Sequence, residues 1–459
     1  MEEILTGRSD VTHLWMRNMD LAPMLERLAP LLADCTDLMT FDISGSKPGP
    51  NGAKFISDIL KCTNRLGKLN LAEIDLNEES MEFLEDSFAN LASLTHFSAA
   101  YNPLGKSGFV ILAECLSSFQ NLQKLNLRKV GLDDVGLVAF AGTIPKMKNL
   151  MYLDLSNNLI GIDGANVIGE GLKVLTNLTT LNLSYNSIGP EGAKAIGEGV
   201  KGRNNFMELY LSGNTIGDDG AKAIGEGLKA LTNFTTLYLS GNQIGPCGAK
   251  VIGEGLNALI NFTTLDLSFN SIGAEGAKAI GKGLKGLTNL STLDLSFNSI
   301  RDDGAKAIGE GLKGLTNVTA LHLSGNEIGH DGAQLIGEGL KALTNLTTLD
   351  LAWNSILPDG AKDIGEGLKD LTSLMTLHLL GNSIGDDGAK AIGEVLKGLN
   401  NLTHLDLCDN SIGDNGAKAI SEGLKSHTKL AVLDLSDNFI SDEEKQLLCN
   451  TFKIEGLDV

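Results

Sequence analysis

The sequence predicts an α/β solenoid: strand–helix units stacked so that the strands form one parallel sheet and the helices back it. Three observations predict it. Asparagine recurs at one constant interval, without a slip, at Asn158, Asn186, Asn214, Asn242, Asn270, Asn298, Asn326, Asn354, Asn382, Asn410 and Asn438. Each closes the same frame, as in Leu178-x-x-Leu181-x-Leu183-x-x-Asn186-x-Ile188. Between frames, apolar residues fall at helical spacing. A fixed period of this kind, with alternating leucines ahead of an asparagine, marks a repeat array whose core grows lengthwise.

The strand comes first in each unit. In the segment from Leu237 to Ile244, Leu237 and Leu239 alternate inward, which leaves Thr236, Tyr238 and Ser240 on the other face. Asn242 then turns the chain, and its amide can bond backbone groups left unpaired there. Stacked copies of it would form a ladder.

The helix follows, as from Gly220 to Lys229. Ala221, Ile224, Gly225 and Leu228 fall at i, i+3, i+4 and i+7, an inward stripe. Asp218 and Asp219 precede it as N-cap candidates and suit the helix dipole. Gly225 and Gly227 inside a helix each cost about 1 kcal/mol against alanine. Their recurrence predicts a close approach of backbone. Lys222, Glu226 and Lys229 recur as an outward charged face.

The register runs back through Asn102, Val130, Ile74 and Ser46 in the asparagine slot. One further strand, Val11-x-x-Leu14-x-Met16, sits just short of a full period before Leu38-x-x-Phe41-x-Ile43. About sixteen repeats then make a single solenoid over residues 1–459. Repeats are irregular over 1–150 and near-identical over 151–440, and a C-terminal cap occupies 441–459. Parallel strands lie ~4.8 Å apart, whereas adjacent helices need ~8–10 Å. The strands must line the inside of an arc, a horseshoe with a concave sheet face and a convex helical face. The first strand has only about ten residues ahead of it. A solenoid end without a cap exposes its core, so an upstream domain or a short self-capping N-terminus is expected.

The formal charge of −20 argues against sequence-independent nucleic-acid binding, which needs Lys and Arg to neutralise phosphates. It suits solubility or the steering of a basic partner. The N-terminus, Met1-Glu2-Glu3-Ile4-Leu5, is acidic and has no apolar run, so no secretory signal is predicted. No stretch approaches the ~18 consecutive apolar residues of a membrane span. Cys35, Cys62, Cys115, Cys247, Cys408 and Cys449 are scattered singly, which predicts free thiols and a reduced, cytoplasmic setting. Asn177, Asn182, Asn233, Asn261, Asn289, Asn317, Asn345 and Asn401 begin glycosylation sequons. All but Asn182 share one repeat position and read as by-products of the repeat.

The frame L-x-x-L-x-L-x-x-N-x-I/L, the 28-residue length and the helical G-A-x-x-I/L-x-x-x-L half resemble the leucine-rich repeats of the ribonuclease-inhibitor-like class, over about residues 10–450. That class includes the ribonuclease inhibitor and the C-terminal regions of NOD-like receptors. The resemblance implies an intracellular protein-recognition scaffold, most like the ligand-sensing, autoinhibitory repeat region of an innate immune receptor. It also implies an upstream nucleotide-binding domain outside this chain. Two alternatives stay open. One is a stand-alone protein inhibitor like the ribonuclease inhibitor, although that family is cysteine-rich with alternating repeat lengths. The other is a small-GTPase regulator like the Ran GTPase-activating proteins, whose long acidic tail has no counterpart in the ending from Phe452 to Val459.

No catalytic residue, metal site or cofactor is predicted. The runs Gly281–Gly286 and Gly309–Gly314 match G-x-G-x-x-G but lie inside the repeated helix, not at a strand-to-helix turn. The histidines do not cluster at zinc-ligand spacing. Asp266 and Asp294, one repeat apart, read as a recognition surface rather than an acid–base pair. The tyrosines and tryptophans all fall in strand segments at non-leucine positions. The predicted protein-binding face therefore carries Tyr152, Tyr185, Tyr210, Tyr238, Phe269, Phe297 and Trp353. Beside them stand Asp266, Asp294, His322, Asp350, His378, Asp406 and Asp434. Tyr and Trp dominate interface hot spots, and the acidic row suits a protein partner with exposed basic residues. A smaller basic patch, Lys68, Lys124, Arg128 and Lys129, is either a second contact site or ordinary surface.

Overall fold

A computed structural model describes residues 11–33 and 35–459. The expectation of an uncapped first strand rests on residues 1–10, which lie outside the described residues. The chain divides into two compact units, one ending at Thr215 and the other spanning Ile216–Val459.

In the first unit, eight three-residue strands run from His13–Trp15 to Glu208–Tyr210. Each pairs in parallel with the next in chain order. In the second unit, nine strands run from Thr236–Tyr238 to Gly456–Asp458 and pair the same way. Helices such as Gly273–Leu284 and Arg301–Leu312 alternate with the strands and stack on their neighbours. The core lies between sheet and helices. In one repeat Leu265, Leu267, Ile272, Ala277, Ile280 and Leu284 are all fully buried, as the leucine frame and the helical stripe require.

The asparagine ladder is formed as expected, and it ties repeats together. Asn298 Nδ2 donates to the carbonyl oxygens of Leu295 in its own repeat (3.0 Å) and Leu267 in the preceding one (2.8 Å). Its Oδ1 accepts from Ile272 N–H of that preceding repeat at 3.3 Å. In the irregular repeats Ser46 substitutes: its hydroxyl donates to the Met16 carbonyl and accepts from Met19 N–H.

A second ladder runs through the sequons. Asn289 Nδ2, the atom a glycan would occupy, donates to the Ile260 carbonyl at 2.9 Å. Asn317 and Asn345 do the same to Thr288 and Thr316. The third sequon position is used as well, since Ser291 Oγ donates to the Thr263 carbonyl at 2.9 Å. Both ends of the motif hold one repeat to the previous one, so the recurrence has a structural cause.

The helix glycines also have one. A Cβ on Gly253 would stand 2.6 Å from the Ala279 carbonyl oxygen of the next helix, and one on Gly255 would stand 2.7 Å from the Gly225 oxygen of the previous helix. Helices packed this closely have no room for a methyl group, and that outweighs the helix-propensity cost.

Three features depart from the sequence reading. Asp218 does not cap its own helix. Helix Gly217–Leu228 starts without a side-chain cap, because Gly217, at φ +63°, folds the chain directly into its first turn. Asp219 pairs instead with Lys222 at 2.8 Å. The C-terminal cap contains a seventeenth strand, Gly456–Asp458, paired with Val432–Asp434. It follows its neighbour by less than a full repeat, which hides it from the period. Finally, Tyr185, Phe269, Phe297 and Trp353 stand beyond the strands, in the turn, with φ between +53° and +57°.

Candidate functional site

In the second unit, register places the variable strand position of each repeat side by side. Tyr238, Asp266, Asp294, His322, Asp350, His378, Asp406 and Asp434 form one row, and Asp458 extends it. The row lies on the face of the sheet opposite the helices, since its leucine neighbours point into the core.

Part of this row is structural. Asp266 Oδ1 accepts from Ser268 N–H at 2.9 Å and Ser268 Oγ at 2.7 Å. Asp294, Asp350, Asp406 and Asp434 each accept the N–H two residues on, at 2.9 to 3.1 Å. Asparagine makes the same bond in the first unit: Asn70 from Ala72, Asn126 from Arg128 and Asn182 from Ser184, at 3.0 to 3.1 Å. Asp42 and Asp154 make it there too, and His322 and His378 occupy the same slot in the second unit, so the turn accepts a carbonyl-type oxygen and does not need a charge. The charges of the second unit's row are surplus to the turn.

Histidines alternate with these carboxylates. His322 Nδ1 stands 4.0 Å from Asp350 Oδ2, and His378 Nδ1 stands 3.6 Å from Asp406 Oδ2. The Asp350 carboxylate raises the His322 pKa above the ordinary histidine value, and Asp406 raises that of His378; partial burial opposes both shifts. Burial pushes the Asp266 pKa up. At Asp350 burial acts in the same sense, but the bonds from His322, Ala352 N–H and Ser324 outweigh it and the pKa falls.

Aromatic rings line the rim of the face. Phe269 and Phe297 stack at 4.6 Å with their planes 12° apart. They are 59% and 41% exposed, and Trp353 is 53% exposed. Phe297 lies against Gly325 and Trp353 against Gly381, where a Cβ would stand 2.8 Å from Trp353 Cε3. Phe297 and Trp353 thus each rest on the glycine of the following repeat, while Phe269 rests on Phe297. That pairing of an aromatic with the glycine one repeat later is visible in the sequence and explains the glycine.

In the first unit the predicted residues separate. Tyr185, 61% exposed, rests on Gly213 in the same manner. Tyr152 and Tyr210 are half-buried, with hydroxyls donating to Asp154 (3.2 Å) and Glu208 (3.3 Å). Burial and the Asp154 charge push the Tyr152 phenol up to about 12. The basic patch divides in two. Arg128 and Lys129 hold the Tyr101 ring, 5.4 and 5.7 Å from its centroid. Lys68 and Lys124 instead flank His96 in one register row, with Tyr152 next.

That row borders a hollow of about 510 Å³ on the sheet face. Trp15, Arg17, Asp42 and His96 line it together with Lys68, Lys124 and Tyr152. The sequence reading did not assemble this hollow, although Lys68, His96 and Lys124 recur one repeat apart in one strand slot.

The helical faces are occupied by ion pairs. Lys313 reaches Glu310 at 2.6 Å and Glu338 of the next repeat at 2.9 Å, and Lys278 reaches Glu275 and Asp303. These groups are solvent-exposed and hold one another rather than pointing free. Among the described residues no cluster of His, Cys, Asp and Glu is arranged to hold a metal ion. No described helix is long and apolar enough to cross a membrane.

Comparison with known proteins agrees with this architecture. A family profile described as "Leucine Rich repeat" matches residues 174–197, 203–225, 227–253, 258–281, 286–309, 314–337, 338–365, 370–393 and 398–421. No curated protein matches the sequence. Among solved structures, the chain is similar to a leucine-rich repeat protein of Leptospira interrogans, with 25% identity and a TM-score of 0.66 over 99% of this chain and 97% of the other. Weaker likenesses are to an internalin from Listeria monocytogenes (17% identity, TM-score 0.39, 99% and 88% of the chains) and to TLR13 in its complex with ssRNA13 (18%, 0.49, 95% and 63%).

Proposed function

This chain belongs to the leucine-rich repeat family, and we propose that the sheet face of Ile216–Val459 recognises a protein segment carrying exposed Lys or Arg. One observation carries the reading. At the slot where asparagine suffices for the turn, the second unit places Asp266, Asp294, Asp350, Asp406 and Asp434. Charge held where the turn does not need it is available to a ligand. Such complementarity raises association rate and fixes register, while the exposed rings of Phe269, Phe297 and Trp353 supply the apolar area on which hot spots rest.

At a finer level, the repeat frame supports a cytoplasmic sensor like the repeat region of NOD-like receptors, with ligand binding relieving restraint on an upstream nucleotide-binding module. A stand-alone inhibitory scaffold like the ribonuclease inhibitor is the alternative reading. The sequence of the transcript upstream of Met1 separates these two readings. Intact mass under non-reducing conditions, from the native cell type, tests the compartment: six free thiols and unmodified sequons are expected, and glycans would remove the cytoplasmic sensor.

The binding reading is tested with an Arg-rich peptide as ligand. Truncating Phe297 or Trp353 to Ala should weaken binding, by about 2 kcal/mol where the ring is a hot spot. Lys222→Ala and Glu226→Ala on the helical face should leave affinity unchanged. Loss of affinity only in the helix-face variants would move the site to the opposite surface.

A further inference from the structure

We propose that the hollow on the sheet face of the first unit binds a small organic anion with a flat apolar body, of the class of aryl phosphates and aryl carboxylates. The proposal is independent of the acidic face of the second unit.

Size sets the class of occupant. A volume of about 510 Å³ lies within the ~300–1,000 Å³ of small-molecule sites. Its floor is made by core side chains, Phe41, Leu69 and Phe97, so the depression is formed by packed structure rather than by loops.

Charge sets the sign of the ligand. The whole sequence carries −20, yet this hollow is lined by cations. Lys68 and Lys124 are exposed and lie two strands apart, with His96 on the strand between them. Parallel strands ~4.8 Å apart put their backbones roughly 10 Å apart, a span that two lysine stems can close around one anionic group. Neither lysine has a carboxylate within ion-pair distance among the described residues, in contrast to the paired lysines of the helical faces. The one carboxylate lining the hollow among the described residues, Asp42, is neutralised by Arg17 Nε at 2.7 Å and accepts further bonds from Ser44 and Asn70. The unbalanced charge that the described residues give the hollow is therefore positive. His96 registers it: burial, then Lys68 and Lys124, lower its pKa. Its Nδ1 is engaged with Thr95 Oγ1 at 2.9 Å, which leaves Nε2 as the polar atom of the ring for a ligand.

The aromatic walls set the shape. Trp15 is exposed and stacked on His13 at 5.4 Å, planes 14° apart. The pair makes a stiff flat platform at one end of the hollow, and Tyr152 stands at the other with its hydroxyl tied to Asp154. Flat apolar groups stack on such rings, while the lysines between the walls take the charge.

The test uses Trp15 as reporter. The chain has two tryptophans, so Trp353→Phe leaves Trp15 alone. That variant is titrated with phenyl phosphate, inorganic phosphate and phenol, read by fluorescence and by calorimetry. Phenyl phosphate is expected to bind saturably, at least tenfold tighter than either fragment, and more weakly as salt rises. Lys68→Ala with Lys124→Ala should lose at least tenfold, Lys68→Arg with Lys124→Arg should retain binding, and Lys278→Ala should have no effect. Both lysines are exposed, and circular dichroism checks that the double variants fold. No saturable heat or quenching with phenyl phosphate would overturn the proposal. So would equal affinity for phosphate or phenol, or an alanine double variant that binds as well as its parent. A Glu-rich hexapeptide that binds tighter than phenyl phosphate would overturn the assignment to a small molecule.

Discussion

Asp218 caps the helix of the repeat after its own: its Oδ1 accepts the N–H of Gly245 at 2.9 Å and of Gly248 at 2.6 Å. The same pair of bonds runs from Asp134 to Gly161 and Gly164, from Asp302 to Gly329 and Gly332, and from Asp386 to Gly413 and Gly416. Each of these four aspartates stands three repeats from the next. A capping bond and an inter-repeat tie are thus one interaction.

Removing such a cap should destabilise two repeats at once. Asp302→Ala is expected to cost about 1 kcal/mol, the range of helix N-caps. Asp303→Ala removes only an exposed ion pair with Lys278 and should cost much less, since solvent screens such pairs. Denaturant unfolding of the two variants makes the comparison, and equal losses would deny the cap its role.

The glycines predict an opposite sign to helix propensity. Gly253→Ala should gain up to about 1 kcal/mol from propensity yet lose more, since its methyl would stand 2.6 Å from the Ala279 carbonyl and overpacking costs roughly 1–3 kcal/mol. Net destabilisation is expected. Gly286→Ala, with nothing within 4 Å of the added carbon, should be neutral or stabilising. Thermal melts of both variants decide it.

Much of this was legible in the sequence, and the reason is local. The leucine frame, the asparagine ladder and the helix stripe are fixed by spacings inside one repeat, and repetition removes the ambiguity of any single copy. Interactions between repeats were harder to read. The rule for helix caps assigns Asp218 to its own helix, whereas its true partners, Gly245 and Gly248, lie in the next repeat. The aromatic residues Tyr185, Phe269, Phe297 and Trp353 look like strand residues by composition, but their left-handed φ puts them in a turn where glycine is the ordinary choice. The acidic row was legible as a surface. That one oxygen of each carboxylate is spent on the turn was not, because Asp and Asn serve there equally. The hollow escaped notice because it is formed across several strands, from His13–Trp15 to Tyr152–Asp154.

The alternation of His322 and His378 with Asp294, Asp350 and Asp406 predicts a pH dependence. Both imidazoles have folded pKa values above the unfolded value of about 6.5. Their contribution to stability is fully present below about pH 6.5 and is lost as pH rises through the folded values. Binding of a basic segment should show the reverse trend. Protonated His322 and His378 cancel neighbouring carboxylates, so affinity should rise with pH through their titration. His322→Gln with His378→Gln should flatten that profile between about pH 5 and 8. A profile unchanged by the double variant would assign the titration elsewhere.

The central claim is that the acidic charge of the second unit's face serves a ligand and not the fold. Substituting Asp266, Asp294, Asp350, Asp406 and Asp434 together by Asn measures this directly, because Asn keeps the turn bond seen at Asn70, Asn126 and Asn182. The melting temperature and the affinity for an Arg-rich peptide, each as a function of salt, are read on the same variant at a pH above the titration of His322 and His378, where their pairs with Asp350 and Asp406 no longer contribute. The account predicts a melting temperature equal to or above that of the parent, with affinity lost by at least tenfold and its salt dependence largely gone. A variant that melts well below the parent, or that binds the peptide as before, would contradict it.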